Sequence, residues 1–140
     1  MAAQTEFVIQ SRGAGFYEFT RDVVDWVRKT GQAHGLLTLF VRHTSCSLLI
    51  QENADPEVRD DLTAFFHRLV PPSTDPSMAY LRHTYEGPDD MPAHIKSALL
   101  PVSLTIPVTG GAPVLGTWQG VYLFEHRTAP HRRRVAAHFG

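Results

Sequence analysis

Leu36 Leu37 Thr38 Leu39 Phe40 Val41 Arg42 His43 Thr44 Ser45 Cys46 Ser47 Leu48 Leu49 Ile50 Gln51 is the stretch whose reading decides the fold class. Its first part, Leu36 to Arg42, is a near-continuous apolar run of strand length, which predicts a central strand. From His43 the strand extends or is followed by a segment of different character. At period two, Cys46, Leu48 and Ile50 share one face, and His43, Ser45 and Ser47 share the other. That parity makes Cys46 a small core residue and not a nucleophile, because a thiol among aliphatic neighbours disfavours its thiolate. His43 then heads a polar face.

Downstream, Glu52 to Pro56 is a polar turn into the clearest helix in the chain. Asp55 caps it, Pro56 opens it, and Val58, Leu62, Phe65, Phe66 and Leu69 recur on one apolar face until Pro71 and Pro72 stop it. His67 lies off that stripe and reads as exposed. Upstream, Glu6 to Ser11 and Gly15 to Phe19 read as a hairpin across Arg12, Gly13 and Ala14. Thr20 reads as the cap of a helix to about Lys29, with Val23, Val24 and Val27 as its stripe and Gly31 just past its end. After Pro101 come strands at Val102 to Val108, at Val114 to Arg127 and at Arg133 to Phe139, the first two joined by a turn at Thr109, Gly110 and Gly111. In the middle one Trp118, Tyr122 and Phe124 share a face, which assigns Trp118 to the core; Thr117, Gln119, Val121, Leu123 and Glu125 share the other. These elements predict an α+β fold: one domain over residues 1–140, with a curved, largely antiparallel, barrel-like sheet and two to three helices.

Composition narrows the function. The chain has 140 residues, with 13 Lys and Arg against 14 Asp and Glu, so bulk charge points to neither nucleic acid nor a membrane surface. The basic cluster Arg127, Arg132, Arg133 and Arg134 reads equally as a solvated strand edge or as phosphate contacts. A single cysteine excludes an internal disulfide framework and fits a reducing cytoplasm. No basic start followed by a long apolar run is present, which predicts a cytoplasmic protein. Dinucleotide and P-loop glycine patterns and the Gly-x-Ser-x-Gly elbow are likewise absent from the sequence.

Chemistry concentrates between Tyr80 and Leu99, where His83 and His94 flank Glu86, Asp89 and Asp90. Gly87 and Pro88 fix a turn, and Pro92 suits the first position of a helix, with His94 in its first turn. Ile95, Ala98 and Leu99 would face inward, leaving Lys96 to solvent or an anion. The carboxylates read either as an acidic turn at a positive helix terminus or as ligand-type groups displayed on a loop.

Four separated motifs occur in order: His43 Thr44 Ser45 Cys46 Ser47 Leu48; Glu52 Asn53 Ala54 Asp55 Pro56; Glu86 to Lys96; and Leu115 to Gly120 with Glu125 His126 Arg127. Together they resemble the YjbQ-like family of small bacterial and archaeal proteins. The resemblance implies an α+β homotrimer with secondary thiamine phosphate synthase activity, joining hydroxymethylpyrimidine pyrophosphate to thiazole phosphate. It further implies that His43, His83, His94 and Glu125 converge on a divalent metal, with His43, His94 and Glu125 catalytic. Mixed nitrogen and carboxylate ligation favours zinc, whereas Asp89 and Asp90 would suit magnesium. Asn53, Asp89, Asp90, Lys96, Thr117, Gln119 and Arg127 would hold a small phosphorylated metabolite, with its phosphate beside the helix at Pro92. The alternative is a non-catalytic trimeric protein that binds a metal or metabolite.

Overall fold

Strand β3 (Gly35–Val41) is central, as its apolar run requires: it pairs with both β5 (Ser103–Thr109) and β8 (Arg132–Phe139). The computed structural model describes residues 2–140. The other elements are β1 (Ala3–Gln10), β2 (Gly15–Glu18), α1 (Thr20–Lys29), β4 (Cys46–Glu52), α2 (Pro56–Leu69), α3 (Asp90–Leu99), β6 (Ala112–Pro113) and β7 (Gln119–Glu125). The strands form a five-stranded sheet ordered β1-β8-β3-β5-β6 and a three-stranded sheet ordered β2-β7-β4. All pairings are antiparallel, and together the strands make a curled half-barrel in a single domain. Leu37, Leu39, Leu48, Val121, Leu123, Val135 and Phe139 fill the space inside, with Val23 and Val27 of α1. Among the described residues no helix is long and apolar enough to cross a membrane.

Local chemistry places several elements where the sequence puts them. Asp55 accepts from the Glu57 N–H and Pro56 opens α2. Gly110 and Gly111, at φ +61° and +78°, make the two-residue β5–β6 turn, a geometry that needs positive φ at both positions. His67 is exposed and Cys46 is fully buried.

Other expectations are corrected. β1 and β2 do not form a hairpin: β1 pairs with β8 and β2 with β7, so the chain changes sheets at Arg12–Ala14. Gly13, at φ +130°, makes this crossing, and a Cβ there would stand 3.0 Å from the Thr128 carbonyl oxygen. The long run Leu36 to Gln51 likewise breaks at residues 42–45, and β4 joins the other sheet. Simple period two fails beyond the break because Cys46, Ser47 and Leu48 are all buried. One face of β4 meets the core, and α3 packs along the strand, with Ser97 Oγ donating to the Cys46 carbonyl. The strand expected from Val114 starts only at Gln119, after a turn closed by the Gln119 N–H on the Gly116 carbonyl. Trp118 sits in that turn and is 62% exposed, not in the core. Phe65 and Leu69 on α2 are also exposed, because the helix lies shallowly on the sheet.

Strand β8 is interior to its sheet, so its arginines do not guard an edge. Its odd-numbered residues face inward, which buries Arg133 beside Glu125 of β7. Arg133 Nε donates to Glu125 Oε1 and Nη2 to Oε2, Ser11 Oγ donates to the same carboxylate, and Arg133 Nη2 also reaches Ser45 Oγ. Burial pushes the Glu125 carboxyl up, but hydrogen bonds from Arg133, Ser11 and the Arg127 N–H outweigh it and hold the group below the usual carboxylate range. A depressed native pKa contributes stability above the unfolded value of about 4.3 and loses it as pH falls through the lower native value. Arg133→Ala, which leaves a buried charge uncompensated, should cost about 3–5 kcal/mol in urea unfolding at neutral pH. The stability gap between the natural chain and Glu125→Gln should narrow as pH falls below about 4.

Candidate metal centre

The segment before α3 is folded back on itself, with the Ser73 N–H on the Pro88 carbonyl and Gly87 at φ +99°. α3 begins at Asp90, two residues earlier than Pro92 alone indicates, so Asp90 and His94 stand one turn apart on one face. His94 Nε2 lies 3.3 Å from Asp90 Oδ2, and His83 Nε2 lies 2.8 Å from the same oxygen and 2.7 Å from Glu86 Oε2. Ligand atoms of His83, Asp90 and His94 all lie within 4.8 Å of one another, and the 2.8 Å and 3.3 Å separations of the two rings from Asp90 Oδ2 suit one ion with bonds of about 2 Å.

The hydrogen bonds around these side chains orient them. His94 Nδ1 is 3.0 Å from the Thr44 carbonyl oxygen, which can only accept, so the neutral ring carries its proton on Nδ1 and turns the Nε2 lone pair toward Asp90. This is how a backbone carbonyl fixes a metal-binding imidazole. Asp90 Oδ1 accepts from Arg127 Nη1 at 2.7 Å, leaving Oδ2 for the two rings. Burial raises the Asp90 carboxyl, yet the hydrogen bond from His83 and the positive charge of Arg127 hold it below the ordinary range.

Convergence within the chain is therefore partial: His83 and His94 meet, whereas His43 and Glu125 are held elsewhere. His43 Nε2 accepts from the Arg134 N–H at 2.8 Å, so its neutral ring has its proton on Nδ1 and no free lone pair. Glu125 is committed to Arg133 and Ser11. Asn53, Thr117 and Gln119 cluster at the other end of the β4–β7 ladder, where Glu52 faces Gln119 while Cys46 faces Glu125. Six strand steps, about 20 Å, separate those ends. There Asn53 bonds Glu18, and Gln119 Oε1 accepts from the Gly116 N–H.

Asp89 does not cap α3 through its side chain; its Oδ2 accepts from Arg127 Nε, the Thr128 N–H and Thr128 Oγ1. Lys96 is buried and Ala98 and Leu99 are exposed, the reverse of the expected facing, because the side of α3 that packs inward carries Pro92, Ala93 and Lys96. At the start of α3 Arg127 is thus fully engaged by Asp89 and Asp90 and is not free for a phosphate. Sequence reasoning missed Asp90 as a partner of the two imidazoles. The Asp90–His94 spacing of four was visible, but reading Pro92 as the first helical residue placed Asp90 outside the helix.

The sequence matches the profile of the UPF0047 protein YjbQ-like family over residues 5–140. The chain belongs to the YjbQ-like family. A UPF0047 protein of Synechocystis is 50% identical over 96% of this chain and 89% of its own, and YjbQ of Escherichia coli O157:H7 is 41% identical over 96% and 94%. A YjbQ/UPF0047 structure from Clostridium acetobutylicum superposes with a TM-score of 0.85 at 30% identity, covering 97% of this chain and 99% of that one. A hypothetical protein from Aeropyrum pernix does so with 0.86 at 26%, covering 99% and 98%.

In this YjbQ-like chain Arg127 is the strap of the site. Its planar fork spans Asp89 and Asp90 while Nη2 reaches the Glu86 carbonyl, tying the loop before α3 to the end of β7. Lysine has the charge without the fork. Arg127→Lys should therefore lower stability by about 1–3 kcal/mol in urea unfolding, the worth of a charge-assisted hydrogen bond or two.

Proposed function

We propose that the protein binds one divalent ion through His83, His94 and Asp90, zinc in preference to magnesium, and acts with it on a small phosphorylated metabolite. The observation that carries the metal reading is the Thr44 carbonyl on His94 Nδ1, which turns Nε2 toward Asp90 and His83. Two imidazoles and a carboxylate suit a borderline ion better than a hard one. Glu86, more exposed and beside His83, is placed to complete the set. Such an ion supplies Lewis acidity toward a phosphate oxygen and offsets the carboxylates that would otherwise repel an anion.

Resemblance supports the reaction class, substitution in which pyrophosphate leaves as in thiamine phosphate synthesis. Such chemistry needs stabilised leaving-group charge and orientation more than a strong base. The chain's own share is to orient the His94 imidazole through Thr44 and to hold Asp90 through Arg127. A non-catalytic binding role is favoured by one observation: Arg127 and Arg133 are both committed to carboxylates and are not free for a leaving group. We also propose a homotrimer. Val8, Leu36 and Phe40 stand exposed on the outer face of the five-stranded sheet, which a neighbouring subunit would cover.

Equilibrium dialysis with elemental analysis should find one zinc per chain. His94→Ala and Asp90→Asn should weaken zinc binding by at least about tenfold; equal binding by both variants overturns the metal reading. Turnover of the two phosphorylated precursors by contaminant-free protein should saturate and vanish in His94→Ala, and activity unchanged in the variant assigns it to background. Light scattering at micromolar concentration should give three chain masses; one chain mass contradicts the trimer.

A further inference from the structure

On the side of α3 away from the metal centre lies a cavity of about 60 Å³, lined among others by Pro92, Lys96, His126, Asp89 and Thr128. α3 thus presents two faces: Asp90 and His94 toward the imidazole cluster, and Pro92 and Lys96, offset by two residues or about 200°, toward this cavity. Two features of the cavity have no internal explanation. Lys96 is nine-tenths buried, yet among the described residues it makes no ion pair. His126 is 3% exposed, and its Nδ1 is a buried polar atom without a hydrogen-bond partner.

The proton on His126 can be placed. Its Nε2 lies 2.8 Å from the Oγ of Ser47, which is fully buried and has no other hydrogen-bond partner among the described residues. The hydroxyl must donate somewhere, and Nε2 is the acceptor within reach, so the neutral ring carries its proton on Nδ1. Burial, and next the charge of Lys96, push the His126 pKa down to about 3, so the ring is neutral at physiological pH. Nδ1–H is then an unused donor beside an unpaired ammonium. Asp89 also borders the cavity, but its charge is met by Arg127 and its Oδ2 already accepts three hydrogen bonds.

We propose that this cavity binds one compact oxyanion, accepting from the Lys96 ammonium and from His126 Nδ1–H. Its volume is about the share of two water molecules, enough for one tetrahedral or planar oxyanion group. The proposal stands on this cavity alone and is independent of ion binding at His83 and His94.

The test uses full-length, ¹⁵N-labelled protein stripped of metal with chelator, so that failure of the metal reading leaves it intact. Histidine side-chain NMR should show His126 protonated on Nδ1. Titration with inorganic phosphate should shift that ring saturably. Lys96→Met, which keeps the volume and removes the charge, should weaken phosphate binding by roughly tenfold or more, the loss of one charge-assisted hydrogen bond. His94→Ala should bind phosphate as the natural chain does. No saturable shift in the natural chain, meaning a cavity that holds only water, overturns the proposal. So does unchanged affinity in Lys96→Met, or loss of phosphate binding in His94→Ala.

Discussion

A single buried ion pair joins the two sheets where four chain segments meet. Glu125 ends β7 in one sheet, and Arg133 lies in β8 of the other. Ser11, just past β1, donates to the carboxylate, while Ser45, between β3 and β4, accepts from the guanidinium. An ionised pair in this setting is tolerable because both carboxylate oxygens accept several hydrogen bonds and Nε and Nη2 of the guanidinium are both engaged. Its position fixes the break between β3 and β4, and with it Thr44, whose carbonyl sets the orientation of His94. The geometry of the imidazole cluster therefore depends on a salt bridge that takes no part in its chemistry.

Arg127 continues the same logic two residues further along. The chain leaving β7 gives up its carboxylate to the core and then returns a guanidinium to the start of α3. Asp89 and Asp90 are drawn to β7 through that one side chain, while His83 and Glu86 approach from the loop. Carboxylates that look redundant along the sequence have separate partners: Asp89 serves Arg127 and Thr128, Asp90 is shared between Arg127 and the two rings, and Glu86 meets His83.

The fold class was legible because its signals are local. The apolar run of β3, the Asp55–Pro56 start of α2 and the Gly110–Gly111 turn each carry their own geometry. Strand partners were not, because nothing near Gly13 or His43 announces that the chain changes sheets; that follows from long-range pairing. Period two also misleads where a strand is covered on both sides, as at Cys46, Ser47 and Leu48. In the candidate site, the loop and both its histidines were legible as chemistry. The role of Asp90 depended on a helix boundary, and boundaries shift easily when Pro is tolerated anywhere in the first turn. The partition of the arginines could not be read at all, since whether a guanidinium meets solvent or a buried carboxylate is decided by strands far apart in sequence.

The lone thiol of Cys46 lies inside the half-barrel, and burial pushes its pKa up to about 12. In the closed protein almost no thiolate exists at neutral pH, and no alkylating reagent reaches the sulfur. Since the chain has no second cysteine, its rate of alkylation records how often β4 and its neighbours part. The sheet junction thus comes with its own internal clock, readable by mass without any introduced label.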